Sequence, residues 1–307
     1  MTVALVTGSH GFVGTHLRAE LRSRGASVVG VGRTDRVAGA GETYVRADLT
    51  VPSDIAEMLD AVRPDLVFHL AATPGARAGG DVTSVVTATY GLCAGLVATG
   101  QRPRVLLAGS SAQYGALRRD ENPVTEESRT EPVTAYGFAK AAAEHTARAF
   151  AAEGAFEVVP VRAFNHVGPG EPPTTVASAF ARRIADVVAG RADTVTVADL
   201  DAVRDFTDVR DIVRGYVDLA EKAVPGRLYN LCSGRPATVG DVLDGLLAAA
   251  GLDRSVVRAA PAAGGPPRSG TIAYQVGSPE RVRAEIGWDA KTGLPDSLRD
   301  LLAMVQR

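Results

Sequence analysis

Short apolar runs alternate with segments of helical spacing through the first half of the chain. The runs are four or five residues long and rich in β-branched residues, as buried strands are. In the segments between them, apolar residues recur every three or four positions, which is the period of an amphipathic helix. The predicted strands are Val3–Val6, Val28–Val31, Leu66–Leu70, Val105–Ala108 and Val158–Val161, and the predicted helices are Val13–Ser23, Ile55–Val62, Val82–Ala98 and Ala135–Ala152.

The alternation of strands and helices predicts an α/β fold. Strands that are joined through helices lie parallel, and because such crossovers are right-handed, the helices cover both faces of one sheet. We therefore expect a doubly wound parallel sheet of the Rossmann type.

The second half of the chain has a less regular pattern. Its predicted elements are the helices Val176–Val188, Val209–Ala223 and Pro295–Val305 and the strands Thr194–Ala198 and Leu228–Cys232. We expect the dinucleotide-binding sheet domain to hold residues 1–165 and 207–233. A smaller, discontinuous α/β substrate domain would hold residues 166–206 and 234–307.

Composition and charge narrow the classes of function. The chain has 307 residues, 46% of them hydrophobic and 22% charged, with a formal net charge of −2. The balanced charge gives no sign of a nucleic-acid or acidic-membrane partner. No apolar run approaches the roughly 20 residues of a membrane-spanning helix, and the N-terminus does not resemble a signal peptide. Cys93 and Cys232 have no metal or redox spacing, so we expect a cytoplasmic protein without a metal.

The stretch VTGSHGFVG spaces three glycines as GxxGxxG directly after the first predicted strand. The spacing alone is weak, because an ordinary turn in a chain with 33 glycines can match it by chance. Its position before a helix favours a dinucleotide-binding loop, since a helix N-terminus offers unpaired N–H groups to a pyrophosphate. The expected lining residues are Gly8, His10, Gly11, Phe12, Val13 and Gly14, and the His10 side chain is assigned no chemistry.

The end of the second predicted strand indicates which dinucleotide is bound. NAD-binding units place a carboxylate there for the ribose hydroxyls, whereas this strand runs into Gly32, Arg33 and Thr34. A guanidinium pairs well with a phosphate, so the 2′-phosphate of NADP is favoured over a surface role for Arg33. Apart from Asp35, no carboxylate is expected near Arg33. The other residues expected to line the cofactor are Asp48, Leu49, Leu70, Ala71 and Ala72.

Tyr136 and Lys140 are four positions apart in a predicted helix and therefore share one face. A free tyrosine has a pKa of about 10, and a nearby ammonium lowers it. Such a tyrosine can pass a proton to or from a carbinol oxygen while a hydride moves, and the lysine can also hold the ribose of the cofactor. The alternative is that Tyr136 and Lys140 are only a pair of surface residues without a catalytic role. Ser110 and Ser111 favour chemistry, because they follow a predicted strand and can hydrogen-bond the same oxygen.

Six stretches of the sequence carry a family resemblance. VTGSHGFVG, HLAA, SSAQYG, YGFAK, RAFNHVGPG and VRDFTDVRD together resemble the extended short-chain dehydrogenase/reductase family over nearly the whole chain. Within that family, SSAQYG and RAFNHVGPG are most similar to reductases of nucleotide-linked 4-keto-6-deoxyhexoses, notably the GDP-4-keto-6-deoxymannose reductases.

The resemblance implies roles for individual residues. Ser110, Tyr136 and Lys140 would form the catalytic triad, with Ser111 as a substrate contact. Asn165 and Arg204 would bind the sugar diphosphate, with a domain-interface ion pair as the alternative for Arg204. The resemblance also implies a homodimer formed by the helices at 82–98 and 139–152, for which plain packing on the sheet is the alternative.

Three functions compete on this fold: an NADPH-dependent ketoreductase, an epimerase or 4,6-dehydratase, and a non-catalytic dinucleotide sensor. A sensor would be expected to lose the triad. Dehydratases of the family carry an acid and a base just after the catalytic Ser or Thr, where this chain has Ser111 and Ala112. Epimerases that recycle bound NAD usually keep the acidic residue on the second strand. We therefore expect NADPH-dependent reduction of the C4 ketone of a GDP- or dTDP-linked 4-keto-6-deoxyhexose.

Overall fold

The computed structural model describes residues 1–34, 43–71, 81–260 and 272–307. Its helices are α1 (Phe12–Ser23), α2 (Pro52–Val62), α3 (Thr83–Thr99), α4 (Ala135–Ala152), α5 (Val176–Val188), α6 (Val209–Lys222), α7 (Val239–Ala249), α8 (Glu280–Ile286) and α9 (Leu294–Val305). Its strands are β1 (Val3–Thr7), β2 (Ser27–Gly32), β3 (Thr43–Arg46), β4 (Leu66–His69), β5 (Arg104–Ala108), β6 (Glu157–Ala163), β7 (Asn165–Val167), β8 (Val195–Val197), β9 (Val203–Asp208), β10 (Tyr229–Leu231), β11 (Pro236–Thr238), β12 (Val257–Ala259) and β13 (Tyr274–Gln275). Within these ranges, no helix has both the length and the apolar character that crossing a bilayer requires.

Seven parallel strands form the central sheet in the order β3–β2–β1–β4–β5–β6–β10. Helices α1 and α6 cover one face, where they pack over Val6 and Phe68. Helices α2, α3 and α4 cover the other face, over Leu5 and Val67. Because successive strand residues enter different cores, the strands are apolar along most of their length. The predicted doubly wound α/β sheet is confirmed.

A second apolar cluster lies beside the sheet. Helices α5, α7 and α9 form it around β8, with Phe180, Leu243 and Leu298 fully or nearly fully buried. Strand β9 pairs with β7, β11 and β13 and then leads directly into α6 of the sheet unit. The predicted division into two domains stays a prediction. Of the residues assigned to the smaller domain, Val282 and Trp288 pack in the core of the sheet instead of in this cluster.

The predicted elements are all present within a few residues of their expected bounds, but the strands β7, β9, β11, β12 and β13 and the helices α7 and α8 were not predicted. Strand β9 shows the physical reason, because its sequence VRDFTD contains the buried polar residues Asp205, Thr207 and Asp208. The Asp205 carboxylate accepts hydrogen bonds from the Ser233 hydroxyl at 2.6 Å and from the Gly234 N–H at 2.8 Å. These donors are distant in sequence, so the pattern of apolar residues does not reveal the strand.

Candidate active site

A cavity of about 430 Å³ opens at the carboxyl ends of β1 to β4. The chain runs from β1 to β2 and β3 on one side and then crosses to β4 on the other side of β1, and parallel sheets bind ligands at such a switch point. Most of the predicted cofactor residues meet in its wall, namely Gly8, His10, Gly11, Arg33, Thr34, Asp48, Leu49, Leu70 and Ala71. Ala72 lies outside the described residues.

The glycine loop lies at the start of α1 and is held there by hydrogen bonds and a close backbone contact. The Gly11 N–H donates to the Gly8 carbonyl at 3.0 Å, and the buried Arg18 guanidinium donates to the Ser9 carbonyl at 3.0 Å. A Cβ at Gly14 would lie only 2.3 Å from the Gly8 carbonyl oxygen, so the helix can approach the loop only with glycine there. No side chain caps the helix at Gly11, which leaves its first N–H groups available to an anion.

The structure separates three of the predicted loop residues from the cavity wall. Phe12, Val13 and Gly14 lie in the first turn of α1 and do not line the cavity. Val13 packs against the core of the sheet, and the Phe12 ring lies edge-on to His16 at 5.7 Å between centroids. These residues shape the helix N-terminus through their backbone.

Arg33 has two carboxylates in its surroundings. Hydrogen bonds from Thr50 lower the pKa of Asp48, and the Arg33 charge adds a smaller contribution. Hydrogen bonds from Thr83 lower the pKa of the exposed Asp81, again with a smaller contribution from Arg33. The expectation that only Asp35 could come near Arg33 is therefore incomplete, because residues distant in sequence converge on the same rim.

Ser110 and Ser111 lie at the carboxyl end of β5, in a tight turn. Ser110 caps the 3₁₀ turn Ser111–Gln113, its hydroxyl accepting the Ala112 N–H at 3.2 Å. The Ser110 N–H itself donates to the Gln113 side-chain oxygen at 2.8 Å. Both serines are almost fully buried, at 2% and 4% exposure.

The first turn of helix α4 packs against the turn formed by residues 110–113, hereafter the serine turn. Thr134 caps the helix by accepting the Gly137 N–H at 3.1 Å. A Cβ at Gly137 would lie 2.5 Å from the Ala112 carbonyl oxygen, so this contact depends on glycine. Tyr136 is half-buried in the same turn. One turn later Lys140 is buried, and its ammonium donates to the Ala108 carbonyl at 2.7 Å. The helix turn that carries Tyr136 and Lys140 therefore packs against Ser110 and Ser111, but neither Tyr136 nor Lys140, which were also predicted to bind the cofactor, lines the cavity.

A buried ionic network that sequence reasoning missed supports the serine turn. The Gln113 amide donates to Glu144 at 2.7 Å, and Arg162 holds both oxygens of that carboxylate at 2.9 and 3.0 Å. Glu144 follows Lys140 by four positions on α4. The repeat of polar residues at 136, 140 and 144 is the signal that could have indicated a polar inner face of the helix.

His69 connects the glycine loop to α3 at the end of β4. The Thr7 hydroxyl lies 2.9 Å from Nδ1 and the Thr89 hydroxyl 3.0 Å from Nε2. Because the Thr89 hydroxyl donates to the Val85 carbonyl at 2.8 Å, we assign the ring proton to Nε2. Burial, with a smaller contribution from the Lys140 charge, lowers the pKa of His69 to about 3. The imidazole is therefore a neutral structural link.

Arg204 and Asn165 lie on two paired strands of the small sheet. Asn165 is half-buried at the start of β7 and is paired in register with Phe206 of β9. Arg204 pairs in register with Gln275 of β13, whose amide donates to the Ser111 carbonyl at 3.0 Å. The small sheet therefore carries both residues toward the serine turn.

The Arg204 guanidinium is held by carbonyl oxygens. It donates to Val203 at 2.7 Å and to Ile272, and among the described residues it forms no ion pair with a carboxylate. Burial lowers its pKa. Within the described ranges, the domain-interface ion pair considered above is absent, and a half-buried cation of this kind suits an anionic ligand.

Comparison with known proteins gives a consistent family. The model of the NAD dependent epimerase/dehydratase family matches residues 4–232. The chain is also similar to the GDP-6-deoxy-D-mannose reductase of Pseudomonas aeruginosa, with 29% identity over 312 residues, which cover 97% of this chain and 95% of that protein.

Solved structures with the same fold contain different dinucleotides. RMD from Pseudomonas aeruginosa, complexed with NADPH, has a TM-score of 0.86 at 27% identity and covers 100% of this chain and 99% of that one. The UDP-glucose 4-epimerase of Thermus thermophilus, complexed with NAD, has a TM-score of 0.86 at 26% identity and covers 99% of each chain. Similarity alone therefore does not distinguish the two cofactors.

Proposed function

Because this chain belongs to the NAD dependent epimerase/dehydratase family, we propose that it reduces the C4 ketone of a nucleotide-linked 4-keto-6-deoxyhexose with NADPH. The members of this family are NAD(P)-dependent nucleotide-sugar epimerases and reductases. The observation that carries the proposal is the contact of Gly137 with Ala112, which lays Tyr136 and Lys140 against the serine turn. The test is NADPH oxidation that depends on such a sugar nucleotide.

The cavity suits the pyrophosphate and the adenosine part of a dinucleotide. The uncapped N-terminus of α1 and the side-chain-free loop at Gly8 and Gly11 suit a pyrophosphate. Asp48, Leu49, Leu70 and Ala71 line the adenosine end, where the exposed Arg33 would hold the 2′-phosphate. When bound, NADPH supplies a hydride from its nicotinamide ring.

The remaining chemistry belongs to the triad. Tyr136 would donate a proton to the oxygen of the reduced ketone, and Ser110 would hydrogen-bond the same oxygen. The buried Lys140 ammonium would favour the phenolate that Tyr136 becomes and would hold the nicotinamide ribose. The Ala108 carbonyl fixes that ammonium on one side and leaves its other protons for these contacts.

The substrate would lie between the serine turn and the small sheet. Ser111 and Asn165 would contact the sugar and its diphosphate, and Arg204 would pair with the diphosphate. The support for Arg204 is its half-buried guanidinium, which forms no ion pair within the ranges described, although the charge of Asp199 acts on it, and which lies beside the strand that touches the Ser111 carbonyl.

Epimerisation at C4 is the second candidate. It is favoured by the equal TM-score of the NAD-bound UDP-glucose 4-epimerase of Thermus thermophilus. Reduction is favoured by the end of β2, where Gly32 and Arg33 stand in place of a carboxylate for the ribose. Dehydration is disfavoured because Ser111 and Ala112 supply neither an acid nor a base.

The outer faces of α3 and α4 suit a second copy of this chain. Helix α3 has no charged residue, and Tyr90 and Val97 are 58% and 50% exposed on it. Phe138 of α4 is 60% exposed, and Phe150 contacts Tyr90 edge-on at 5.7 Å. A four-helix interface between two copies would cover these apolar side chains.

The cytoplasmic location expected from the sequence stays a prediction.

A further inference from the structure

Tyr44 fills the space above a bare face of β2. Strand β2 has glycine at positions 30 and 32, and Tyr44 on β3 is paired in register with Gly30. A Cβ at Gly32 would lie 2.7 Å from the Tyr44 phenol oxygen, and one at Gly30 would lie 3.4 Å from the ring carbon Cδ2. The phenol therefore occupies the place that a side chain on residue 32 would need.

The same phenol ties down the turn that carries Arg33. Its hydroxyl donates to the Thr34 carbonyl at 2.8 Å. The ring also meets the His10 imidazole edge-on, with 4.8 Å between centroids. Tyr44 thus touches the glycine loop, the end of β2 and the Arg33 turn at once. All three belong to the cavity wall, and Tyr44 itself lines it.

We propose that Tyr44 is a specificity-determining residue for the dinucleotide, an inference that rests on the proposed use of NADPH. By occupying the space above Gly32, the phenol excludes a carboxylate from the end of β2, where one would accept hydrogen bonds from the ribose hydroxyls of NADH. Through the Thr34 carbonyl it holds the turn so that Arg33 faces the 2′-phosphate. Glycine at position 32 leaves no acceptor for the ribose hydroxyls of NADH, and Tyr44 fills the vacant space and prepares the site for NADPH.

The alternative is that Tyr44 only packs against β2. A packing residue would affect both dinucleotides equally when it is changed, and removing its ring from the Gly32→Asp variant would strengthen both dinucleotides alike. The proposed role predicts a loss mainly for NADPH when Tyr44 is changed and a gain mainly for NADH in the double variant.

The test is calorimetric titration of the intact protein with NADPH and with NADH, which needs no substrate. Tyr44→Phe keeps the ring and removes the hydrogen bond to Thr34, so the Kd for NADPH should rise about threefold to tenfold. The Kd for NADH should stay within about twofold. Tyr229→Phe, which removes a phenol hydroxyl that donates to Glu285 at 2.8 Å, at the edge of the sheet opposite β3, is the matched control and should leave both values unchanged.

The second arm tests the space above residue 32. Gly32→Asp alone should weaken both dinucleotides, because the new side chain displaces the phenol. Combining Gly32→Asp with Tyr44→Ala should restore room for the carboxylate and lower the Kd for NADH about tenfold relative to Gly32→Asp alone. NADPH binding should stay weak in the double variant, since the turn is no longer held.

The outcomes separate this inference from the function it rests on. Arg33→Ala should weaken NADPH and leave NADH little changed. Equal affinity of the unaltered protein for the two dinucleotides would refute the NADPH preference itself. The role of Tyr44 alone would be overturned if the unaltered protein clearly prefers NADPH but the double variant gains no affinity for NADH. Equal losses of NADPH and NADH affinity in Tyr44→Phe would overturn it as well.

Discussion

The Lys140 ammonium donates a hydrogen bond to the backbone carbonyl of Ala108 at 2.7 Å, and this contact joins the helix of the proposed proton donor to the strand that leads into Ser110. Ala108 is the last residue of β5. The bond therefore fixes the buried cation relative to both Tyr136 and the serine turn. A proton transfer that depends on three side chains from two elements needs such a fixed reference.

Tyr136→Phe should remove the proton donor while keeping the ring. We expect kcat to fall by about 10²–10⁴-fold with a smaller change in the KM for NADPH, because general acid catalysis contributes on that scale. Initial rates of NADPH oxidation with the sugar nucleotide measure both constants. Tyr229→Phe, which removes a phenol hydroxyl bonded to Glu285, is the control, and near-normal turnover in Tyr136→Phe would remove Tyr136 from the mechanism.

Arg204→Ala should weaken the sugar nucleotide far more than the cofactor. A hydrogen bond to a charged group contributes about 1.5–3 kcal/mol, which corresponds to roughly a tenfold to hundredfold rise in KM for the substrate. The exposed Arg191→Ala is a matched loss of one cation. If Arg204→Ala raises the KM for substrate and for NADPH equally, Arg204 has a structural role in the small sheet instead.

His69 should make the protein less stable in acid. The pKa of His69 is about 3 when folded, and the ordinary value for an exposed histidine is about 6.5. As the pH falls below about 6.5, the unfolded chain binds a proton that the folded protein does not, so this contribution to stability is present above pH 6.5 and is lost progressively toward pH 3.

His69→Gln should reduce that loss, because an amide can accept from Thr7 and donate to Thr89 without titrating. Urea unfolding between pH 4.5 and 7.5 should give a flatter dependence of the unfolding free energy on pH than in the unaltered protein. His145→Gln, on the exposed side of α4, should leave the dependence unchanged. Parallel pH curves for the unaltered protein and His69→Gln would contradict the buried neutral state.

The apolar face of α3 should hold two copies together. Tyr90→Arg combined with Val97→Arg should give a monomer in sedimentation velocity at micromolar concentration, whereas the unaltered protein sediments as a dimer. Val224→Arg, at a site that is 54% exposed after α6, is the control for adding an exposed cation. A monomeric unaltered protein would show that Tyr90 and Val97 are only surface residues.

The sequence predicted the sheet well because its strands are buried on both faces and so read as plain apolar runs. The glycine loop, Arg33 and the Tyr136–Lys140 spacing were visible for a similar reason: each is a local pattern. The role of Tyr44 was not visible in the sequence, because it depends on the contact of Tyr44 with Gly30 and Gly32. Only the pairing of β2 with β3 brings these residues together. Its signal was indirect, in two alternate glycines that leave one face of a strand bare.

The Gln113–Glu144–Arg162 network was missed for a different reason. Its members are 31 and 18 positions apart, and each alone resembles a surface polar residue. Burial of a carboxylate is tolerated only because the guanidinium and the amide are both present. Sequence reasoning on single residues assigns such groups to the surface.

The most direct test of the proposed function is the fate of a deuteride. The protein is incubated with a GDP- or dTDP-linked 4-keto-6-deoxyhexose and NADPH in which both hydrogens at C4 of the nicotinamide are replaced by deuterium, and the sugar is examined by NMR. The account predicts stoichiometric oxidation of the cofactor and a 6-deoxyhexose with deuterium at C4 and a new hydroxyl there. Conversion of a nucleotide hexose to its 4-epimer or to a 4-keto-6-deoxy product, with no net oxidation of NADPH and no deuterium at C4, would contradict it.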